Sequence, residues 1–246
     1  MLIQWTPQSA RWFQTASAYT GFHNNLSRIL LPYIPEQTTL CDLGCGTAMI
    51  DFALADRLST VTCVDKSAAA LRVVEDQIAA SGKTNIETLC ADVYALERVW
   101  DTALLVFFGQ IGDNITHYLS LCRQNVVAVV RGGSRDNLMS GAVPQCRTVA
   151  RTAVALDAQG VRWRLTESIL EYGQPLESLE DAAAYVAAYR KNPPGQSVEE
   201  YLSLHLSATE DPRFPYYLPY QKHIGIFVIS RGENLHVLSA PPALAR

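Results

Sequence analysis

The sequence predicts an α/β fold, strands alternating with helices, and three observations carry that expectation. Residues 39–50, TLCDLGCGTAMI, read as a short apolar strand, a glycine turn and the start of a helix. Two further strand-like runs, residues 61–64 (VTCV) and 86–90 (IETLC), are followed closely by an aspartate, Asp65 and Asp92. Residues 100–108 and 125–130 (NVVAVV) then form largely continuous apolar runs, which suit strands covered on both faces. At 246 residues, the chain is about right for one domain with embellishments.

Taken in order, residues 1–36 precede the sheet and are rich in aromatics: Trp5, Trp12, Phe13, Tyr19 and Phe22, with His23 and Tyr33 nearby. Pro7 is placed to open a helix. Residues 25–31 continue with an apolar face at Leu26, Ile29 and Leu30, and Pro32 and Pro35 end it. This segment reads as a helix pair packed on the sheet edge or as a lid over a site. Tyr19 and His23 are one helical turn apart, so both are expected to face one way.

After the glycine turn, residues 52–58 read as helical. Ser67 caps a second helix whose apolar face is Leu71, Val74 and Ile78, and Gly82 stops it. Residues 161–172 alternate and read as a sixth strand; residues 223–230 (HIGIFVIS) read as the last. Residues 173–222 lie between them as a helical insert. Ser178 opens one helix, Pro193-Pro194-Gly195 breaks it, and Ser197 with Glu200 forms a capping box for another. Its tyrosines, Tyr185, Tyr189 and Tyr201, are core packing, or they close a pocket or a homodimer interface.

The glycine turn is the chemical centre of this reading. Glycine has no Cβ to block a ligand, and the helix beyond it points free N–H groups outward. A bare G-x-G is common in turns; the acids around it make it specific. Asp42 stands at the carboxyl end of its strand, where open α/β sheets bind ligands. Asp65 is placed to accept hydrogen bonds from both hydroxyls of a ribose.

DLGCGT, then VD at a strand end, then AD after the next strand, resembles the class I S-adenosylmethionine-dependent methyltransferases. The likeness covers residues 38–130 and the remainder only in outline. It implies a Rossmann-like seven-stranded sheet, mostly parallel with an antiparallel last strand, helices on both faces, an N-terminal helical lid (residues 1–36) and the helical insert. By resemblance Asp42 and the Gly44-Cys45-Gly46 backbone hold the methionine part of the cofactor. Asp65, with Lys66 beside it, takes the ribose; Asp92 and Val93 take the adenine, and Phe107 also lines the cofactor. Trp12, Tyr19, His23, Phe108 and Arg131 are the candidates for the acceptor pocket, since the end of the fourth strand and the N-terminal segment serve the acceptor in that family. Arg131 or Arg135 is suited to pair with a carboxylate or phosphate. Two departures stand out. Ala48 takes the place of the family's third glycine, and the fourth strand lacks the Asn or Asp with Pro-Pro-Tyr of many nucleobase and amide methylases.

Composition narrows the function further. A net charge of −4 argues against broad nucleic-acid or anionic-membrane binding. No run approaches the eighteen or so apolar residues of a membrane span, and no signal peptide is evident, so a cytoplasmic location is expected. None of the six cysteines forms a C-x-x-C pair or stands at metal spacing from a histidine, so no metal is expected and the thiols read as small buried hydrophobes. His23 and His117 are the only histidines placed to act as a base. The leading expectation is methyl transfer from S-adenosylmethionine to a small molecule, leaving S-adenosylhomocysteine. A protein or RNA methyltransferase and a degenerate partner subunit are the alternatives. An NAD oxidoreductase is disfavoured by Ala48 and by Asp92, which would have no task.

Overall fold

The computed structural model describes residues 6–132, 148–189 and 196–239. Its strands are β1 (Thr39–Leu43), β2 (Thr60–Asp65), β3 (Ile86–Cys90), β4 (Trp100–Val106), β5 (Cys122–Arg131), β6 (Arg164–Glu171), β7 (Gln174–Leu176), β8 (Ser207–Ala208), β9 (Tyr216–Leu218) and β10 (Gln221–Ser230). Seven of them form one sheet in the order β3-β2-β1-β4-β5-β10-β6. Pairings from β3 to β5 are parallel, and β10 runs antiparallel to both β5 and β6. This is the expected Rossmann-like sheet with its antiparallel last strand. The strand order reverses beside β1, which has β2 on one side and β4 on the other, and ligands of open α/β sheets bind at such a switch point.

Alternation along β1 divides the core. Leu40 faces a layer with Phe22, Leu26, Leu30, Ile50, Leu54, Cys63, Leu104 and Ile226. Cys41 and Leu43 face the opposite layer, with Ala103, Leu105, Tyr118, Ala128 and Phe227. Both layers are fully buried, which is why the central strands carry no polar face. Helices α1 (Pro7–Thr20), α2 (Phe22–Leu30) and α3 (Met49–Leu54) lie toward the first layer, while α4 (Ala68–Ser81) covers β2 and β3. Helix α5 (Ile115–Ser120) and α6 (Val149–Ala158) serve the second.

Local chemistry sets the helix ends as the sequence indicates. Thr6 and Ser9 make a capping box ahead of α1; Ser67 accepts the Ala70 N–H to open α4, and Gly82 closes it in the left-handed region. The insert does contain α7 (Leu179–Tyr189) and α8 (Val198–His205), the latter opened by the Ser197–Glu200 box. It is not purely helical, however. Strands β7, β9 and β8 form a second, three-stranded antiparallel sheet within it. Strands of two or three residues are too short to show a period of two. Among the described residues no helix is long and apolar enough to cross a membrane.

Candidate cofactor and acceptor site

The loop after β1 is bound to β2 by its own backbone. The N–H groups of Gly44 and Cys45 both donate to the Val64 carbonyl, at 2.8 and 3.0 Å. Gly46 N–H donates to Asp65 Oδ2 at 3.0 Å, and Ser67 N–H donates to Asp65 Oδ1 at 2.8 Å. One carboxylate therefore ties the glycine turn to the start of α4 and sits at the mouth of the crevice between them. The turn needs left-handed backbone at Gly44 (φ 78°), Gly46 (φ 57°) and Ala48 (φ 53°). A Cβ on Gly44 would fall 2.2 Å from the Phe108 ring, whereas beside Gly46 the space is open for 4 Å. That open cradle, floored by backbone, fits a ligand that approaches the main chain closely.

Ala48 occupies its left-handed conformation at a cost that glycine does not carry, on the order of 1 kcal/mol. Ala48→Gly is expected to raise the unfolding free energy by about 0.5–1 kcal/mol, seen as a higher urea midpoint. An unchanged or lower midpoint would mean that the buried Ala48 methyl matters more than the strain.

Beneath the loop lie two carboxyls with almost no access to water. Asp42 is 2 % exposed and Asp51, on α3, is 0 % exposed. No other group hydrogen-bonds Asp42 Oδ1 or either Asp51 oxygen, and the two carboxyls pair with each other. Burial, and for Asp51 the neighbouring Asp42 charge, drives both groups upward: Asp42 to about 7, and Asp51 well above the ordinary carboxyl range. At neutral pH Asp51 thus keeps its proton, while Asp42 is poised between its two forms. The buried Asp42 carboxyl under a glycine turn suits the ammonium end of an amino-acid-like ligand.

Asp92 is exposed after β3 and its Oδ1 accepts the Tyr94 N–H at 3.0 Å, while Val93 is buried. His117, a candidate base on sequence grounds, is committed elsewhere. Its Nε2 donates to the Val93 carbonyl at 2.9 Å, so the ring braces the Asp92–Val93 turn from α5. Lys66 is exposed beside Asp65.

The acceptor candidates disperse. Trp12 is buried in the insert, edge-on to Tyr185 and Tyr189, with its indole N–H on Asp181. Tyr19 is 40 % exposed against Phe214 and Tyr217. Tyr19 and His23 do not share a helical face, because Gly21 (φ 64°) ends α1 between them. Phe108 folds over Gly44, and Arg131 ends β5 next to Ile224 of β10. Arg135 lies outside the described residues.

His23 does reach the carboxyl edge of the sheet, among Phe13, Phe22 and Tyr172. Its Nδ1 pairs with Ser17 Oγ at 2.5 Å. Burial and then the Lys222 charge hold its pKa down to about 3, so the ring is neutral at physiological pH. Lys222 and Tyr172 are the residues sequence reasoning passes over. Both lie at that edge, because β10 is antiparallel and its start stands beside the ends of β5 and β6. Phe107 follows β4 in the left-handed region (φ 54°), which is rare for a bulky residue and turns its ring toward Lys222.

Cysteine chemistry is subdued here. Cys41 and Cys63 are buried, and both thiols are pushed up, Cys63 first by the Cys45 thiol and then by burial. Among the described residues no three His, Cys, Asp or Glu side chains gather as a metal site.

Comparison with known proteins agrees with this fold. Residues 40–130 match the family described as a methyltransferase domain. The YcgJ protein of Bacillus subtilis is similar in fold at 9 % identity, with a TM-score of 0.53 over 84 % of this chain and 97 % of that one. Magnesium protoporphyrin IX methyltransferase from Synechocystis, solved with bound S-adenosylmethionine, gives 0.52 at 12 % identity over 91 % and 85 %. The [4+2]-cyclase SpnF also gives 0.52 at 12 % identity, over 84 % and 80 %. The sequence matches no curated protein. Residues 40–130 thus resemble a methyltransferase domain, and the whole sheet shares the Rossmann-like fold of these neighbours.

Proposed function

We propose that the protein transfers a methyl group from S-adenosylmethionine to a small-molecule acceptor. One observation carries the reading: Asp42, the Gly44–Gly46 cradle, Asp65 and Asp92 stand in sequence along the carboxyl ends of three adjacent parallel strands. Asp42 and the cradle would hold the methionine end, Asp65 the ribose hydroxyls, and Asp92 with Val93 the adenine.

When bound, the cofactor would supply an electrophilic methyl on a sulfonium, which in-line attack by the acceptor would take up as the S–methyl bond breaks and S-adenosylhomocysteine leaves. The chain's own task is to hold the two in near-attack geometry and exclude water. Phe107 and Phe108, half-buried after β4, are the apolar walls available for that exclusion. His23, with its pKa near 3, is too weak a base to ionise a hydroxyl near neutrality, which favours acceptors that arrive already nucleophilic.

Calorimetric titration with S-adenosylmethionine, S-adenosylhomocysteine and NAD tests the class. Micromolar binding of the first two and none of NAD is expected; the reverse preference would overturn the reading. Asp65→Ala should weaken S-adenosylhomocysteine binding by about 1.5–3 kcal/mol, the worth of charge-assisted hydrogen bonds. Unchanged affinity would place the ribose elsewhere.

A further inference from the structure

The ammonium of Lys222 is enclosed by three aromatic rings contributed by different parts of the fold. Its Nζ lies 3.9 Å from the centroid of Phe107, 4.7 Å from Tyr172 and 5.0 Å from Phe22. Such a site favours a cation and draws it partly out of water, which strengthens its pull on an approaching anion. The wall has a second polar point. Tyr172 is 6 % exposed and its buried hydroxyl has no hydrogen-bond partner, an omission that is costly unless something fills it. His23 adds a neutral imidazole to the same wall, edge-on to Tyr172.

Position separates Lys222 and Tyr172 from the cofactor residues of β1 to β3, with Phe107, just past the end of β4, between them. Sheet order places β4 and β5 between β1 and β10. At about 4.8 Å per strand, β10 is some three spacings, roughly 14 Å, from the glycine turn. The cofactor residues run the other way, from β1 through β2 to β3. Lys222 therefore stands across β4 from the ribose and adenine positions, on the side left for the second substrate.

From these observations we infer that Lys222 and Tyr172 form the recognition point for a planar acceptor bearing an anionic oxygen, a carboxylate or a comparably acidic hydroxyl. The half-buried Phe107 ring takes the planar body, with the buried Phe22 and Tyr172 rings standing around the ammonium. Lys222 pairs with the anionic oxygen, and the Tyr172 hydroxyl donates to a second acceptor atom. A cationic amine is rejected by the same charge. The inference rests on the methyltransferase reading for what happens next, but the binding point can be tested apart from it.

Benzoate and benzyl alcohol serve as probes, titrated by ligand-observed NMR into the full chain with and without saturating S-adenosylhomocysteine. Wild type should bind benzoate at least tenfold more tightly than benzyl alcohol. Lys222→Met, which keeps the length and apolar body of the side chain, should abolish that preference while leaving S-adenosylhomocysteine affinity within twofold. Tyr172→Phe, which removes one oxygen and little packing, should weaken benzoate severalfold. Equal binding of the two probes by wild type, or binding of neither, overturns the inference. So does a Lys222→Met variant that retains the preference, or one whose main loss is S-adenosylhomocysteine affinity, which would assign Lys222 to the cofactor's carboxylate. If wild type prefers benzoate but binds no S-adenosylhomocysteine, the methyltransferase reading fails and the anion site stands.

Discussion

Gly44→Ala is expected to cost about 2–3 kcal/mol of stability and to lower S-adenosylhomocysteine affinity at least tenfold. Two independent effects add. The backbone at Gly44 has φ 78°, where an L side chain costs about 1–2 kcal/mol. The new Cβ would also lie 2.2–2.5 Å from the Phe108 ring atoms Cγ, Cδ2 and Cε2. Contact at Cγ involves the root of the ring rather than its free end, so Phe108 must leave its rotamer or the loop must move, at about 1 kcal/mol. Urea unfolding of Gly44→Ala, Phe108→Ala and the double variant separates the two. The clash should appear as a coupling near 1 kcal/mol, and the backbone cost should persist when the ring is gone. Full additivity would show that Phe108 yields freely, and an unchanged Gly44→Ala midpoint would refute the strain at this turn. Affinity should fall with stability, because the carbonyl of Val64 anchors both N–H groups of the turn.

What the sequence revealed divides by the range of the interactions involved. Ser67, Gly82 and the Ser197–Glu200 box act within one helical turn, and each stands where the residues indicate. The glycine turn and the aspartates after β2 and β3 are equally local, since each is fixed by the end of one strand. Longer-range features were not legible. Tyr19 and His23 have helical spacing, but Gly21 breaks the helix and sends one to the insert and the other to the sheet edge. Phe107 reads as the continuation of an apolar strand, yet β4 ends at Val106 because Phe107 turns left-handed. The Lys222 cage draws on α2, the end of β4, the end of β6 and the start of β10, so no window of sequence contains it. His117 reads as a candidate base from sequence, yet its ring is engaged by the Val93 carbonyl.

The buried carboxyl pair should make pH act in opposite directions on stability and on cofactor binding. Asp42 has a native pKa near 7, against roughly 4 for an ordinary unfolded-state carboxyl. Between those values the native state holds more protons than the unfolded one, so unfolding free energy falls as pH rises and the loss is complete above about 7. The size is on the order of 4 kcal/mol. Asp51, held higher still, extends the loss beyond that point. Thermal or urea midpoints of the ligand-free protein should therefore drop from pH 5 to pH 8. Asp42→Asn should remove the part that saturates near 7, and Asp51→Asn the part that continues above it. A wild-type midpoint that stays level or rises over this range would mean that neither group keeps its proton. A ligand carrying an ammonium group beside Asp42 reverses the balance, because it favours the ionised carboxylate that burial alone disfavours. S-Adenosylhomocysteine affinity is thus expected to climb with pH up to about 7. Binding at pH 6 should release a proton, detected as a calorimetric heat that changes with the ionisation enthalpy of the buffer. In Asp42→Asn that buffer dependence should vanish together with most of the affinity. If it survives the substitution, the proton comes from another group and the methionine end of the cofactor does not rest on Asp42.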